Sequence, residues 1–274
     1  MGKITIVVDN KAANGFAAEH GYALWLEADE RVILFDTGNR DALKANSEKL
    51  NLDFSSLTEL ILSHGHYDHT GGVETVLERA PGVQVYLHQA AMQPRYSVKN
   101  GDTRSVRMST EAMKSLWSLE DESIHWLTHP FRISPQVGIT GPIARRTGYE
   151  DTGGSFYYDP WGKRPDPIDD DNAVWVHTPG GLVICVGCSH AGIVNTINAI
   201  VETTGESKIR TVIGGLHLVN ASPERLQNTV DALNALDIGQ LIACHCTGDE
   251  AFWYLEERLD FDVLQGYAGF SMEF

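Results

Sequence analysis

Residues 63–72 read SHGHYDHTGG, from Ser63 to Gly72. Three histidines and an aspartate fall within six positions. An apolar run precedes them (LTELILS, 57–63), and a helical pattern follows (GGVETVLERAPG, 71–82). In an extended chain His64 and His66 point the same way, so both can reach one metal ion. Asp68 and His69 lie just beyond, where the chain turns into the helix, and can face a second ion. Imidazole and carboxylate donors suit zinc, manganese or iron. The competing reading is a polar loop whose histidines only hydrogen-bond. The spacing between a strand and a glycine pair weighs against it.

Working outward, the first half reads as strands at ITIVVDN (4–10), YALWLEA (22–28), RVILFDTG (31–38) and VQVYLHQ (83–89), with a helix at DALKANSEKL (41–50). Residues 93–130 are irregular and read as a lid insertion with some helix around TEAMKSLWSL. FRISPQVGIT (131–140) returns to strand. Residues 150–171 are rich in Gly, Pro, Asp and aromatics, as expected of a long loop beside a site. AVWVHTPGGLVICVG (173–187) reads as a hairpin turning at TPGG. In GIVNTINAIVETTG, Ile193, Ile197, Ile200 and Val201 share one helical face. IRTVIGG (209–215) and QLIACHC (240–246) are strands. SPERLQNTVDALNALDIG (222–239) is a helix with Ser222 as N-cap, Pro223 in its first turn, Gly239 at its end and a stripe of Leu226, Val230 and Leu233. A helix at 249–259 and a short closing strand complete the pattern. Two halves, each a sheet with helices outside, predict an α/β (α+β) fold: one four-layer αββα sandwich over residues 1–274.

The chain has 274 residues, 42% of them hydrophobic, and a formal net charge of −16. A full core can form. The negative charge disfavours a general nucleic-acid or membrane-surface binder. It leaves room for a small anionic substrate, because a local metal pair outweighs the global charge. The N-terminal MGKITIVVDN lacks signal-peptide organisation, and no stretch approaches a membrane span of about 20 apolar residues. A cytoplasmic protein is expected, free or as a homo-oligomer. In that compartment the four cysteines, Cys185, Cys188, Cys244 and Cys246, are not expected to form disulfides. If QLIACHC stays extended, Cys244 and Cys246 face away from His245, so either the histidine or the cysteines reach a metal. A structural zinc held by all four cysteines is the rival, but Cys185 and Cys188 would point to opposite faces. Cys185 and Cys244 read as small core residues. His20, His88, His125, His129 and His177 lack site context and read as surface or core residues.

His-x-His-x-Asp-His after a strand resembles the signature of the metallo-β-lactamase fold. LFDTG (34–38) resembles that fold's Asp-Thr-Gly strand end, which implies that Asp36 orients a ligating histidine. Many members supply a third histidine from Thr-Pro-Gly-His-Thr, then a bridging Asp from a Gly-Asp pair. Here HTPGGL (177–182) has no histidine after its glycines. VGCSHAGIVN instead offers His190 to the first metal, with Cys188 where the bridging Asp is expected. Cys188 is then a thiolate ligand, or the metals lack a protein bridge. CHCTG supplies His245 as the last ligand. Two divalent ions are thereby implied, zinc first among them, with manganese or iron also fitting.

ITGPIARRTGYED (139–151), DDDNAVWV (169–176), GCSHAGIVNTI (187–197), IGGLHL (213–218) and CHCTG (244–248) resemble the branch of 7,8-dihydropterin-6-methyl-4-(β-D-ribofuranosyl)aminobenzene-5′-phosphate synthase. The expected function is a metal-dependent hydrolase in which activated water attacks an ester, phosphoester or diphosphate bond, with Asp68 orienting the water. Two alternatives stand beside it. One is a transferase joining a dihydropterin diphosphate to an aminobenzene ribose phosphate; the other is a non-catalytic metal-binding or redox protein. A di-iron branch of the fold usually carries Glu where this chain has His66, together with a flavodoxin domain. His217, which ends a strand before a helix, could ligate, donate a proton or bind substrate; a role toward substrate or in support of the ligands is favoured over that of an ordinary buried histidine. Arg145 and Arg146 are candidates to clamp a phosphate, and Ser155-Phe-Tyr-Tyr with Trp161 to wall a flat ring. Solvated arginines and loop packing are the plainer readings of those two stretches.

Overall fold

Alternation of apolar side chains sets up two facing sheets in the computed structural model, which describes residues 2–274. The first sheet runs in the order Ser271–Glu273, Lys3–Val8, Ala23–Ala28, Arg31–Phe35, Glu59–Ile61, Gln84–Leu87 and Ile124–Trp126. The second runs Asp262–Gln265, Gln240–Cys244, Lys208–Gly215, Gly181–Val186, Ala173–Thr178, Val137–Ile139 and Phe131–Arg132. Ile4, Ile6, Leu24 and Phe35 of the first sheet meet Val174, Val183, Ile213 and Ile242 of the second in a core between them. The strands are buried on both faces, so they read as apolar runs rather than clean alternation.

Helices cover both outer faces. Asp41–Leu50, Val73–Arg79 and Thr110–Trp117 pack on the first sheet through Leu43, Val76 and Leu116. Ile193–Thr204, Pro223–Asn234 and Asp249–Arg258 pack on the second through Ile197, Val230 and Leu255. The four-layer αββα order is the one the sequence predicts. Ser222 caps its helix by accepting a hydrogen bond from the Arg225 N–H at 3.1 Å. That helix stops at Asn234 rather than running to Gly239. Asp237–Ile238 leaves it to pair with Lys208–Ile209, because a strand edge was free to take those backbone groups.

The 93–130 segment divides into three parts. Tyr96–Lys99 and Asp102–Ser105 form a hairpin that pairs with Phe156–Tyr157 of the 150–171 loop, making a small third sheet. Thr110–Trp117 belongs to the outer helical layer, since Ala112 and Leu116 are buried there. Ile124–Trp126 extends the first sheet. Only the hairpin has the place of a lid.

Parallel pairing aligns strand ends. Arg31–Phe35 and Glu59–Ile61 are parallel, as are Gly181–Val186, Lys208–Gly215 and Gln240–Cys244. Their C-terminal ends gather at one edge, where loops rather than side chains fill the space. Four non-glycine residues there adopt left-handed backbone: Asp36 (φ 62°), Ser189 (55°), His217 (45°) and His245 (50°). At the chain's ends, Gly2 and Phe274 exchange backbone hydrogen bonds of 2.8 and 2.9 Å, closing the first sheet with its last strand.

Candidate metal centre

The ligand turn is held from behind before it holds anything itself. Gly65 passes so close to Ala91 that an added Cβ would lie 2.0 Å from its carbonyl oxygen, so only glycine fits. The Gly65 N–H donates to Asp170 Oδ2 at 2.7 Å. Asp170 in turn pairs with Arg95, a fully buried guanidinium that also lies 2.9 Å from Asp166. Asn172 Nδ2 donates to the carbonyls of Leu62 and Ser63 at 2.9 and 2.8 Å. Asp171 Oδ2 accepts from the Ala191 N–H at 2.7 Å, one residue past His190. Asp170, Asp171 and Asn172 therefore tie the 63–69 turn of one half to the 188–191 turn of the other. Burial pushes the Asp171 carboxyl up to about 7.

Each site histidine but His66 and His217 has one ring nitrogen anchored. His64 Nδ1 meets Ser63 Oγ at 2.8 Å, His69 Nδ1 meets Asp36 Oδ2 at 2.7 Å, His190 Nδ1 meets the Thr152 carbonyl at 2.7 Å and His245 Nδ1 meets Asn10 Oδ1 at 3.1 Å. The other nitrogens converge on one another. His64 Nε2 lies 2.9 Å from His66 Nδ1, and His69 Nε2 lies 3.1 Å from His245 Nε2. Nitrogens bound tetrahedrally at 2.0–2.1 Å from one zinc stand about 3.3 Å apart, so these separations fit ligands sharing an ion. His190 Nε2 is buried with no hydrogen-bond partner. An orphaned buried nitrogen costs free energy unless something occupies its lone pair. The donor set thus fits divalent metal, with the anchored nitrogens fixing each ring's tautomer.

Among the described residues, five groups bring three ligand atoms within 4.8 Å of one another: His64–His66–His190, His64–His69–Cys188, Cys188–His190–His217, Cys188–His245–Cys246 and His20–Asp68–His245. Burial and the repulsion of neighbouring rings hold His64, His66, His190 and His245 well below the usual imidazole range, so they are neutral and able to ligate. His69 differs. Burial opposes its charge, yet the Asp36 carboxylate outweighs this and pushes it up to about 9. Asp36 is buried and also accepts from Ser63 N and Oγ, each at 2.7 Å.

Several expectations change here. The Gln240–Cys244 strand does not continue through Cys246. His245 turns left-handed and starts a short 3₁₀ turn, so His245 and Cys246 both reach the cleft. The either-or between them fails for that reason. Cys185 and Cys244 lie in the inter-sheet core, so the four cysteines do not gather. Cys188 and His190 share one turn, whereas His217 follows the next parallel strand. Its ring centroid is 4.3 Å from that of His190.

Arg145 and Arg146 do not converge. Arg146 pairs with Glu202 at 2.6 Å in the open, and Arg145 donates to the Pro167 carbonyl at 2.7 Å in an outer groove. Their string serves the fold instead. Asn195 Oδ1 accepts from the Arg146 and Thr147 N–H groups at 2.9 and 3.0 Å, and Glu150 caps the 193–204 helix by accepting from Val194 and Asn195. Of the aromatic stretch, only Phe156 packs on the ligand histidines, its centroid 4.9 Å from His66. Tyr157 and Ser155 face the outer groove, and Trp161 is exposed.

Two positions escape the sequence reading. His20 Nε2 lies 3.2 Å from Asp68 Oδ2, at the mouth of a cleft of about 180 Å³ also lined by Arg104, Phe156 and His217. Hairpin register carries the signal for it. Leu24 pairs with Phe35, so the chain entering that strand lies beside the turn leaving its partner at Asp36. Asp9 and Asn10, at the end of the first strand, cradle His245: Asp9 Oδ1 accepts its N–H at 2.8 Å.

The chain matches the family model of the metallo-beta-lactamase superfamily over residues 18–199. It is 27% identical to a Methanocaldococcus jannaschii protein named 7,8-dihydropterin-6-methyl-4-(beta-D-ribofuranosyl)-aminobenzene-5′-phosphate synthase, across 94% of this chain and 91% of that one. An uncharacterised protein of the same organism is 31% identical across 97% and 98%. A crystal structure described as a metal-dependent hydrolase of the beta-lactamase superfamily superposes with a TM-score of 0.85 at 30% identity, covering 100% of this chain and 99% of the other. No helix among the described residues is long and apolar enough to cross a membrane.

Proposed function

Because the chain belongs to the metallo-beta-lactamase superfamily, we propose that it is a metal-dependent enzyme cleaving an ester, phosphoester or diphosphate bond of a small anionic substrate, with water as acceptor. His64, His66 and His190 would hold one divalent ion; Asp68, His69 and His245 would hold another, with Cys188 between them. Zinc suits this nitrogen- and sulfur-rich set best. When bound, the metals supply Lewis acidity that polarises the scissile group and acidifies water.

The chain's own residues supply the rest. Asp68 keeps a carboxylate oxygen toward the cleft, where it orients the attacking group, and His20 at 3.2 Å passes its proton to solvent. His217, beside His190, is placed to donate a proton to the leaving group. Phe156 and the hairpin above it exclude bulk water. Arg104, exposed at the mouth, meets the negative end of the substrate. Arg145 and Arg146 have no part in this reading.

The observation that supports it is the convergence of His64, His66, His69, His190, His245 and Cys188 into overlapping groups whose ligand atoms lie within 4.8 Å of one another, beside a cleft that His66, Asp68 and His245 line. The test is turnover of a panel of phosphoesters and diphosphates in ¹⁸O-water by zinc- or manganese-loaded protein. Label in the product supports hydrolysis. A second reading, transfer to an amine or carbon nucleophile with diphosphate leaving, is favoured by the 27% identity to the named synthase. It predicts turnover only with an added acceptor, and product without label. Bound metal with no turnover on either panel sinks both.

A further inference from the structure

The sulfur of Cys246 has no place in the reading so far, and its surroundings are built for it. The left-handed turn at His245 sends Cys246 toward the cleft instead of into the core where Cys244 lies. Its Sγ comes within 4.8 Å of both Cys188 Sγ and a ring nitrogen of His245. The His217 N–H donates to that Sγ at 3.3 Å, a contact that suits an electron-rich sulfur acceptor. Room is reserved as well: a Cβ on Gly215 would lie 2.5 Å from the sulfur. Both Cys188 and Cys246 line the cleft of about 180 Å³. A buried free cysteine is ordinarily a small apolar filler. A filler needs neither an amide donor nor a cleft wall.

We propose that Cys246 is a second sulfur donor to the metal centre, acting with Cys188 so that the centre selects a thiophilic divalent cation over magnesium or manganese. The inference rests on the metal centre proposed above but not on its reaction. Thiolate favours zinc, iron and cobalt over oxygen-seeking cations.

Cobalt(II)-loaded protein gives the test, because thiolate ligation produces an intense near-ultraviolet charge-transfer band that imidazole and carboxylate do not. The band should fall by roughly half in Cys188→Ser and in Cys246→Ser, and vanish in the double variant. Circular dichroism melting identifies any variant that fails to fold. Alkylation followed by mass spectrometry of the unmutated protein is independent of folding of the variants. Bound zinc should protect Cys246 from iodoacetamide, and Cys185 and Cys244 should stay unmodified throughout. Stoichiometric cobalt with an undiminished band in Cys246→Ser, or Cys246 alkylated equally with and without zinc, overturns the inference while leaving the metal centre standing. Failure to bind cobalt or zinc at all overturns both.

Discussion

The turns at 63–70 and 244–248 feed one cleft by opposite means. The first brings four candidate donors from ordinary backbone: His66 is extended (φ −77°, ψ 148°) and the following residues are helical. Spacing alone sorts its side chains between two positions. The second brings two candidate donors by bending against the preference of its residues, with His245 at φ 50°. Such left-handed conformations cost roughly 1–2 kcal/mol for a residue with a Cβ. The second turn therefore needs support from outside, and Asp9 and Asn10 provide it from the far end of the chain. A ligand set can be made by periodicity or by enforced backbone, and the enforced kind depends on its neighbours.

The largest test removes ligands outright. His66→Ala and His245→Ala should each lose one bound ion by metal quantification, and full metal in both would break the assignment. Next comes Asp36→Asn, which takes the carboxylate from His69 and should lower metal affinity by about 10–100-fold. Asp9→Asn should weaken the ion at His245 by about 10-fold and spare the one at His64 and His66, which competition with a chelator resolves. Equal weakening of both ions would erase the contrast between the turns.

A smaller effect concerns charge. In metal-free protein His69 should titrate near pH 9 by NMR, against an ordinary 6.5, while His64 and His190 stay neutral through the measured range. A raised folded-state value means the proton stabilises the fold. That contribution is complete below pH 6.5 and fades as the pH climbs to about 9, so metal-free protein should lose stability across that window. Asp36→Asn should flatten it. The least effect is expected of Arg146→Ala, whose partner pair is exposed. It should shift stability by about 0.5 kcal/mol or less and leave KM unchanged.

The layers and the first ligand turn were legible because apolar periodicity and side-chain spacing are local. His190 and His217 were legible as polar residues at strand ends before helices. Cys246 was not, since alternation assumes an extended backbone and a single left-handed residue reverses it. His20 was missed because its partner, Asp68, comes from another element, and only strand register joins them. Arg145 and Arg146 misled in the other direction: two adjacent arginines look like an anion clamp, but their backbone groups dock a helix and one guanidinium faces water. Of the expected lid, only a hairpin has that place, because the segment's apolar residues found existing layers to join.

The pairing of residues 271–273 with residues 3–5 joins the most distant parts of the described chain in one sheet. Until residues 271–273 are made, Lys3–Val8 has a sheet partner on one side only, Ala23–Ala28. His245 and its supports, Asp9 and Asn10, meet across the same interval. A chain made only as far as residue 240 would hold His64, His66, His69 and His190 but lack His245.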